Sequence, residues 1–127
     1  MTKTVVLTDR APLPVGPYSQ AIQAGTLLFV AGQVPIDPAT GDIPTGIADQ
    51  ARQALANVQA VVEAAGGTLA HVVKTTVFLQ DLNEYGAVND VYATFFTDAP
   101  PARACVEVAR LPRDVRVEVE AIAVLDA

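Results

Sequence analysis

The chain has 127 residues, of which 51% are hydrophobic and 17% charged, and its formal net charge is −6 at pH 7. This composition predicts one folded domain, residues 1–127, and excludes a disordered chain. Eight basic residues on an acidic chain disfavour nucleic acid as a partner, because a phosphate backbone is held by several Lys and Arg side chains at once.

The first three predicted elements are strands. Residues 3–8 are rich in β-branched side chains, and residues 19–24 and 27–32 flank a Gly-Thr turn, which is typical of a hairpin. Pro- and Gly-rich loops precede and follow the hairpin.

A long helix is predicted next. From Ile47 to Ala65 apolar residues recur at helical spacing. Thr45 is the candidate N-cap, Asp49 suits the positive N-terminal end, and Gly66–Gly67 should end the helix.

The second half predicts a strand over residues 72–80, a shorter helix over residues 81–96, and two valine-rich strands within residues 100–125 joined by a Pro-containing turn. The order βββ-α-β-α-ββ indicates an α+β fold, with one mixed sheet of about six strands and two helices packed on one face.

Alternation along the two closing strands separates an apolar face from a mixed face. The apolar face carries Ala104, Val106, Val108, Val115, Val117, Val119 and Ala121. The mixed face carries Arg103, Cys105, Glu107, Arg116, Glu118, Glu120, Ile122 and Val124. We expect the apolar faces under the helices and the mixed face at a surface where subunits of a homo-oligomer meet.

Arg103 is the first candidate for binding a ligand, because its planar guanidinium matches a carboxylate bidentately. Glu118 or Glu120 could orient a water molecule or accept its proton. The alternative for all three is an ion pair within the strands or between subunits. Cys105 lies on the face of Arg103, but without a histidine partner it is better explained by packing than by nucleophilic chemistry.

No metal or nucleotide site is indicated. The chain has one histidine, His71, and one cysteine, and it lacks the GxGxxG, GxxxxGK[ST] and GxSxG motifs. The sequence shows no apolar run of about 20 residues and no signal peptide, so we expect a cytoplasmic protein that has no membrane partner and works without a cofactor.

Five segments, in order, resemble the RidA/YjgF reactive intermediate deaminase family over nearly the whole chain. They are APLPVGPYSQAI, VAGQVPIDPATG, QARQALANVQAVVEAAG, VVKTTVFLQDLNEYGAVNDVY and PPARACVEVARLPRDVRVEVEAIA. The resemblance implies a chorismate-mutase-like fold and a homotrimer with sites between subunits. It also implies cofactor-independent hydrolysis of 2-imino acids and enamine tautomers such as 2-aminoacrylate to 2-keto acids and ammonia.

The resemblance further implies roles for single residues. Arg103 matches the arginine that binds the substrate carboxylate, and Glu118 matches the glutamate associated with the attacking water, with Glu120 as its ambiguous neighbour. Cys105 matches a position that lines the site.

Three further positions match substrate-binding residues of the family: Tyr18 in the GPY motif, Gly32, whose backbone approaches the ligand, and Asn89 on the second helix. Ala31 departs from the family, in which serine is common at this position. Two alternatives stay open: a ribonuclease or translation inhibitor, and a non-catalytic ligand-binding or chaperone-like trimer.

Overall fold

The structure, a computed structural model, describes residues 2–126. Within them the strands and α-helices follow the predicted order: β1 (Thr4–Val6), β2 (Ala21–Ala24), β3 (Leu27–Gln33), α1 (Ile47–Ala64), β4 (Val72–Leu79), α2 (Tyr85–Phe95), β5 (Ala102–Glu107) and β6 (Val117–Val124). The strands form one mixed sheet in the order β1-β2-β3-β6-β4-β5, and both helices pack on one face of it. The predicted α+β fold is confirmed.

The closing strands do not pair with each other, so the predicted ribbon over residues 100–125 is wrong. β4 lies between them, antiparallel to β6 and parallel to β5. Residues 108–116 connect β5 to β6, which is longer than the roughly two to five residues usual in a hairpin loop. Pro and Gly mark where a strand ends but do not say whether the chain then turns back or crosses to another position in the sheet.

Helix α1 begins and ends close to the predicted residues. Its N-cap is Gly46 in an extended conformation, rather than Thr45, and no side chain caps the first turn. At the other end Gly66 adopts a φ of +90°, and the N–H groups of Gly66 and Gly67 donate to carbonyls of the last turn at 3.0 Å. A glycine in this left-handed conformation is the usual way to end a helix, and this end was predicted correctly.

The core lies between the helices and one face of the sheet. The strand residues on that face are fully buried or nearly so: Leu28, Val30, Thr75, Val77, Leu79, Val117, Val119, Ala121 and Ala123. Helix α1 contributes Ala54, Leu55, Val58, Val61 and Val62. The alternation predicted for β6 is therefore confirmed, with Val117 and Val119 under the helices.

The opposite face of the sheet, which we call the open face, is not covered by any part of residues 2–126. Phe29, Val106 and Val124 lie on it with 44%, 44% and 41% of their surface exposed. An apolar sheet face of this kind normally marks a contact with another molecule. No helix within residues 2–126 is both long enough and apolar enough to cross a bilayer.

The face prediction for β5 is wrong. Because Arg103 lies opposite Thr75 and Cys105 opposite Val77, both point to the helix side, whereas Val106 lies opposite Phe78 on the open face. β5 is an edge strand, and α2 covers its helix side only in part, so the more polar alternate residues are tolerated there. Polarity alone therefore could not orient this strand.

Candidate active site

The residues predicted to form one site fall into two groups on opposite faces of the sheet. The first group holds Arg103, Cys105 and Asn89; the second holds Tyr18, Gly32 and Glu118. Arg103 lies opposite Thr75 on the helix side, and Glu118 lies opposite Phe78 on the open face. Residues directly opposite each other in a sheet share a face. One chain therefore does not bring Arg103 and Glu118 to the same small ligand.

Two tyrosines of α2 hold the guanidinium of Arg103. Its Nη2 donates a hydrogen bond to Tyr85 Oη at 2.9 Å. Its Cζ lies 4.7 Å from the ring centroid of Tyr92 and 5.4 Å from that of Tyr85. No ion pair of Arg103 is formed within residues 2–126. The alternative of an ion pair inside the chain is therefore wrong, and the charge is left to bind another group.

Tyr92 is fixed in turn by the core. Its Oη and Thr75 Oγ1 lie 2.7 Å apart in a buried hydrogen bond. Burial raises the pKa of Tyr92, and the hydrogen bond to Thr75 and the charge of Arg103 offset this only in part. The phenol therefore stays neutral and offers its ring face to the cation.

Asn89 belongs to the same group by helix geometry. Tyr85, Asn89 and Tyr92 follow the i, i+4, i+7 spacing that places side chains on one face of a helix. Neither tyrosine was among the predicted site residues. Their helical spacing around Asn89 is the signal in the sequence that could have indicated that all three residues share one face of α2.

Cys105, partly buried next to the guanidinium, stays a thiol. Burial raises its pKa, and the nearby charge of Arg103 lowers it by less. A nucleophilic cysteine needs the opposite shift. Cys105 is therefore suited to lining a site rather than to attacking a substrate.

Glu118 lies in a cleft of about 440 Å³. Its walls come from the loop after β1, the end of β3 and the loop that follows it, and the turn before β6. The lining residues are Val15, Tyr18, Ala31, Gly32, Val34, Ile36, Pro112, Arg113 and Glu118. We call it the Glu118 cleft. Apart from Glu118 and Arg113 its lining is mostly apolar, which suits a small organic ligand.

Gly32 and Glu118 are in close contact. A Cβ on Gly32 would overlap Oε2 of Glu118 and lie 2.9 Å from its Cδ. A side chain at this position would displace the Glu118 carboxylate, and the constraint is one of space because the φ of Gly32 is not in the left-handed region. Burial raises the pKa of Glu118, and the negative charge of Glu120 raises it further.

Glu120 points to the same face but not into the Glu118 cleft. It is exposed and borders a shallow depression with Lys74, Thr76 and Ile122. Neither glutamate takes part in an ion pair within residues 2–126. Of the two, Glu118 is the one that a ligand in the cleft would meet.

Two buried amide side chains shape the Glu118 cleft, and both were missed at the sequence level. Gln20 binds the loop after β1 through Oε1, which accepts from the N–H of Thr8 at 2.7 Å, and Nε2, which donates to three carbonyls. Asn57 of α1 donates to the carbonyls of Val34 and Ile36 at 3.0 Å each. Asn57 Oδ1 also accepts from Gln53 Nε2 at 2.9 Å, so each amide is anchored while it holds loop backbone in place.

Within residues 2–126, no three His, Cys, Asp or Glu side chains lie together as a metal site would need. The chain is thus a small α+β protein with an uncovered sheet face, a carboxylate in an apolar cleft and an arginine free to bind an anion. The family model described as Endoribonuclease L-PSP matches residues 8–125, and the chain belongs to this family, in agreement with the predicted RidA/YjgF resemblance.

Relatives match over nearly their whole length. The 2-iminobutanoate/2-iminopropanoate deaminase of Escherichia coli K12 is 52% identical over 127 residues, covering 98% of each protein. The structure of E. coli TdcF with bound serine gives a TM-score of 0.94 at 47% identity, covering 97% of this chain and 99% of that one. A putative endoribonuclease of Thermotoga maritima gives 0.96 at 47% identity, covering 99% and 100%.

Proposed function

We propose that this chain is a cofactor-independent deaminase that hydrolyses 2-imino acids and their enamine tautomers to 2-keto acids and ammonia. The observation that carries the proposal is the guanidinium of Arg103, which two tyrosines hold and no carboxylate neutralises within residues 2–126. The E. coli relative named as such a deaminase, 52% identical over 98% of the chain, supports the same activity.

The site is completed between subunits. Since Arg103 and Glu118 lie on opposite faces, a ligand touching both needs Arg103 from one subunit and Glu118 from its neighbour. A ring of subunits in head-to-tail contact provides this arrangement, and we assign the family's homotrimer to this chain. The open face, with Phe29, Val106 and Val124 exposed, supplies apolar surface for such contacts.

The proposed reaction needs a held substrate and a delivered water. Arg103 binds the carboxylate, and the protonated imine carbon is already electrophilic. An enamine first gains a proton at C3 to become the imine. Glu118 takes a proton from water as the oxygen bonds to C2, and it returns this proton to the nitrogen of the resulting carbinolamine. The C–N bond then breaks as Glu118 takes the hydroxyl proton, so that C2–O becomes the carbonyl of the keto acid and the departing ammonia picks up this proton as ammonium. Orientation of this kind lowers barriers by several kcal/mol.

The raised pKa of Glu118 suits this role, since a stronger base accepts the proton of water more readily near neutral pH. Tyr18 and Gly32 line the same side of the ligand as Glu118, and Asn89 and Cys105 line the side of Arg103. Cys105 stays protonated in this scheme and forms no covalent bond.

The test adds purified protein to an amino acid oxidase that releases imines, and follows ammonia release and semicarbazide trapping. The expected result is faster keto acid formation and less semicarbazone, because hydrolysis removes the imine before it is trapped. If several amino acids show no acceleration, the proposed function is wrong.

Ribonuclease activity is the second candidate, because the family model carries that description. The net charge of −6 and only eight basic residues disfavour RNA binding. RNA cleavage by the purified protein that persists in Arg103→Ala would favour this candidate over the deaminase.

Gly32→Ala is expected to lower kcat for 2-imino acids by roughly tenfold or more, because the new methyl group displaces the Glu118 carboxylate and misplaced catalytic groups cost large factors in rate. The measurement is kcat in the coupled oxidase assay, with thermal unfolding to check the fold. Gly86→Ala is the matched control, since a Cβ there meets nothing within 4 Å. Equal kcat values for the two variants would contradict this role of Glu118.

Glu120→Gln is expected to shift the acid limb of the pH profile of kcat/KM to lower pH. Glu118 must be ionised to accept a proton, so the rate falls as pH drops through its raised pKa. Removing the charge of Glu120 lowers that pKa. The check is a pH profile, with Asp9→Asn as a control that removes an exposed carboxylate elsewhere. A limb that stays in place in Glu120→Gln would exclude Glu118 as the base.

A further inference from the structure

We propose that Tyr85 is a positioning residue whose hydroxyl, together with the ring of Tyr92, sets the orientation in which Arg103 presents its guanidinium to the substrate carboxylate. The inference rests on the proposed function in taking Arg103 as the residue that binds the carboxylate. It assigns a task to two side chains that the reaction scheme does not otherwise use.

The hydrogen bond from Arg103 Nη2 to Tyr85 Oη, 2.9 Å long, fixes the rotation of the guanidinium in its own plane. Nη2 carries two hydrogens. One points along the edge shared with Nε–H, and the other along the edge shared with Nη1. Whichever of these two hydrogens Tyr85 accepts, the other edge of the guanidinium keeps two parallel N–H groups. A carboxylate can therefore still bind bidentately, but on one edge only.

The ring of Tyr92 restricts the other direction. With Cζ of Arg103 4.7 Å from its centroid, the ring holds the guanidinium by a cation–π contact and resists tilting of its plane. The far end of the ring is held in place, because Tyr92 Oη is bonded to buried Thr75 at 2.7 Å. A series of contacts thus runs from Thr75 on the core strand β4, through Tyr92 on α2, to the guanidinium of Arg103. β5, the edge strand that carries Arg103, itself contributes no partner for the guanidinium.

The expected kinetic signature is a change in KM rather than kcat. The substrate carboxylate is present both in the ground state and in the transition state. A poorly oriented Arg103 therefore weakens the binding of both states to the same extent. Binding of the keto acid product, which carries the same carboxylate, must weaken in parallel. A merely structural role of Tyr85 would not produce this split.

The test compares Tyr85→Phe with the wild-type protein. The variant keeps the ring and removes the hydroxyl, and Tyr85 is 41% exposed, so no cavity forms. We expect KM for the imino acid to rise about three- to tenfold, with kcat within about twofold, which is the effect that the net loss of one typical hydrogen bond predicts. The dissociation constant of 2-oxobutanoate, measured by calorimetry, should rise by the same factor.

Thr94→Val is the matched control. It also removes a hydroxyl from α2, one that donates to the carbonyl of Val91 within the helix rather than to Arg103. Its KM and its affinity for 2-oxobutanoate should equal those of the wild type. Unchanged KM and affinity in Tyr85→Phe, or a loss of kcat alone, would overturn the proposal.

The calorimetric measurement separates this inference from the proposed function. If the wild type does not accelerate imine hydrolysis but binds 2-oxobutanoate, and Tyr85→Phe binds it more weakly, the deaminase is wrong and the positioning role of Tyr85 stands. If the wild type does not bind 2-oxobutanoate at all, Arg103 is not a carboxylate-binding residue and the inference fails with it.

Discussion

Arg103→Ala is expected to lower kcat/KM for 2-imino acids by roughly a hundredfold or more. Truncating one member of a hydrogen-bonded charge pair costs about 2–5 kcal/mol, and the substrate carboxylate would lose the bidentate partner that the proposal assigns to it. Arg110 and Arg116, the next arginines along the chain apart from Arg113, are already paired with Asp114 and Glu84 and are poorly placed to take over this role. The measurement is the oxidase-coupled assay at several substrate concentrations.

Arg103→Lys should recover only part of this loss. Lysine keeps the charge but lacks the planar fork, so it can neither bind the carboxylate bidentately nor donate to Tyr85 in the same geometry. We expect kcat/KM between those of the wild type and the alanine variant, with KM raised more than kcat is lowered. A lysine variant as active as the wild type would show that charge alone is sufficient and that the fork of Arg103 is unimportant.

The control for both variants is Arg52→Ala. Arg52 is exposed on α1, where it pairs with Asp49 at 2.9 Å, and its loss changes the net charge by the same amount. Size-exclusion chromatography and circular dichroism establish whether each variant keeps its assembly and fold. Arg103→Ala with wild-type activity, or Arg52→Ala with an equal loss, would contradict the proposed role of Arg103.

The parts of the fold that were predicted correctly are those with strong local signals. Helix α1 shows a helical period over many residues and ends in Gly66, which takes the left-handed conformation. β6 alternates strictly and is buried on one face, so its orientation followed from polarity. In both elements, the residue at each position suits the local backbone geometry and also its place inside or outside the core.

The parts that could not be predicted depend on neighbours that are distant in sequence. β5 lies at the sheet edge and pairs with β4, so the register of Arg103 with Thr75 decides its face. Only the folded chain shows that Glu118 meets Gly32 while Glu120 does not. Likewise, Tyr85 and Tyr92 have the same apolar character in the sequence whether or not a guanidinium lies beside them.

Mixing two inactive variants is expected to restore about one quarter of the wild-type activity. Arg103→Ala lacks the residue on the helix side and Glu118→Gln lacks the residue on the open face, so each alone should be nearly inactive. When the two are co-expressed in equal amounts, each site of the proposed ring would draw Arg103 from one chain and Glu118 from the next. At any one site the arginine is intact with a probability of about one half, and so is the glutamate. About one site in four therefore has both Arg103 and Glu118.

The expected recovery of one quarter of the activity is the same for a closed ring of any size, so this recovery tests whether the site is shared between subunits. A mass measurement on the same sample tests whether the ring holds three subunits. The control co-expresses Arg103→Ala with the double variant Arg103→Ala, Glu118→Gln, which leaves no intact arginine and should stay inactive. A mixture of the single variants that is no more active than either alone would mean that one chain supplies both residues. That result would conflict with the opposite faces on which the sheet register places Arg103 and Glu118.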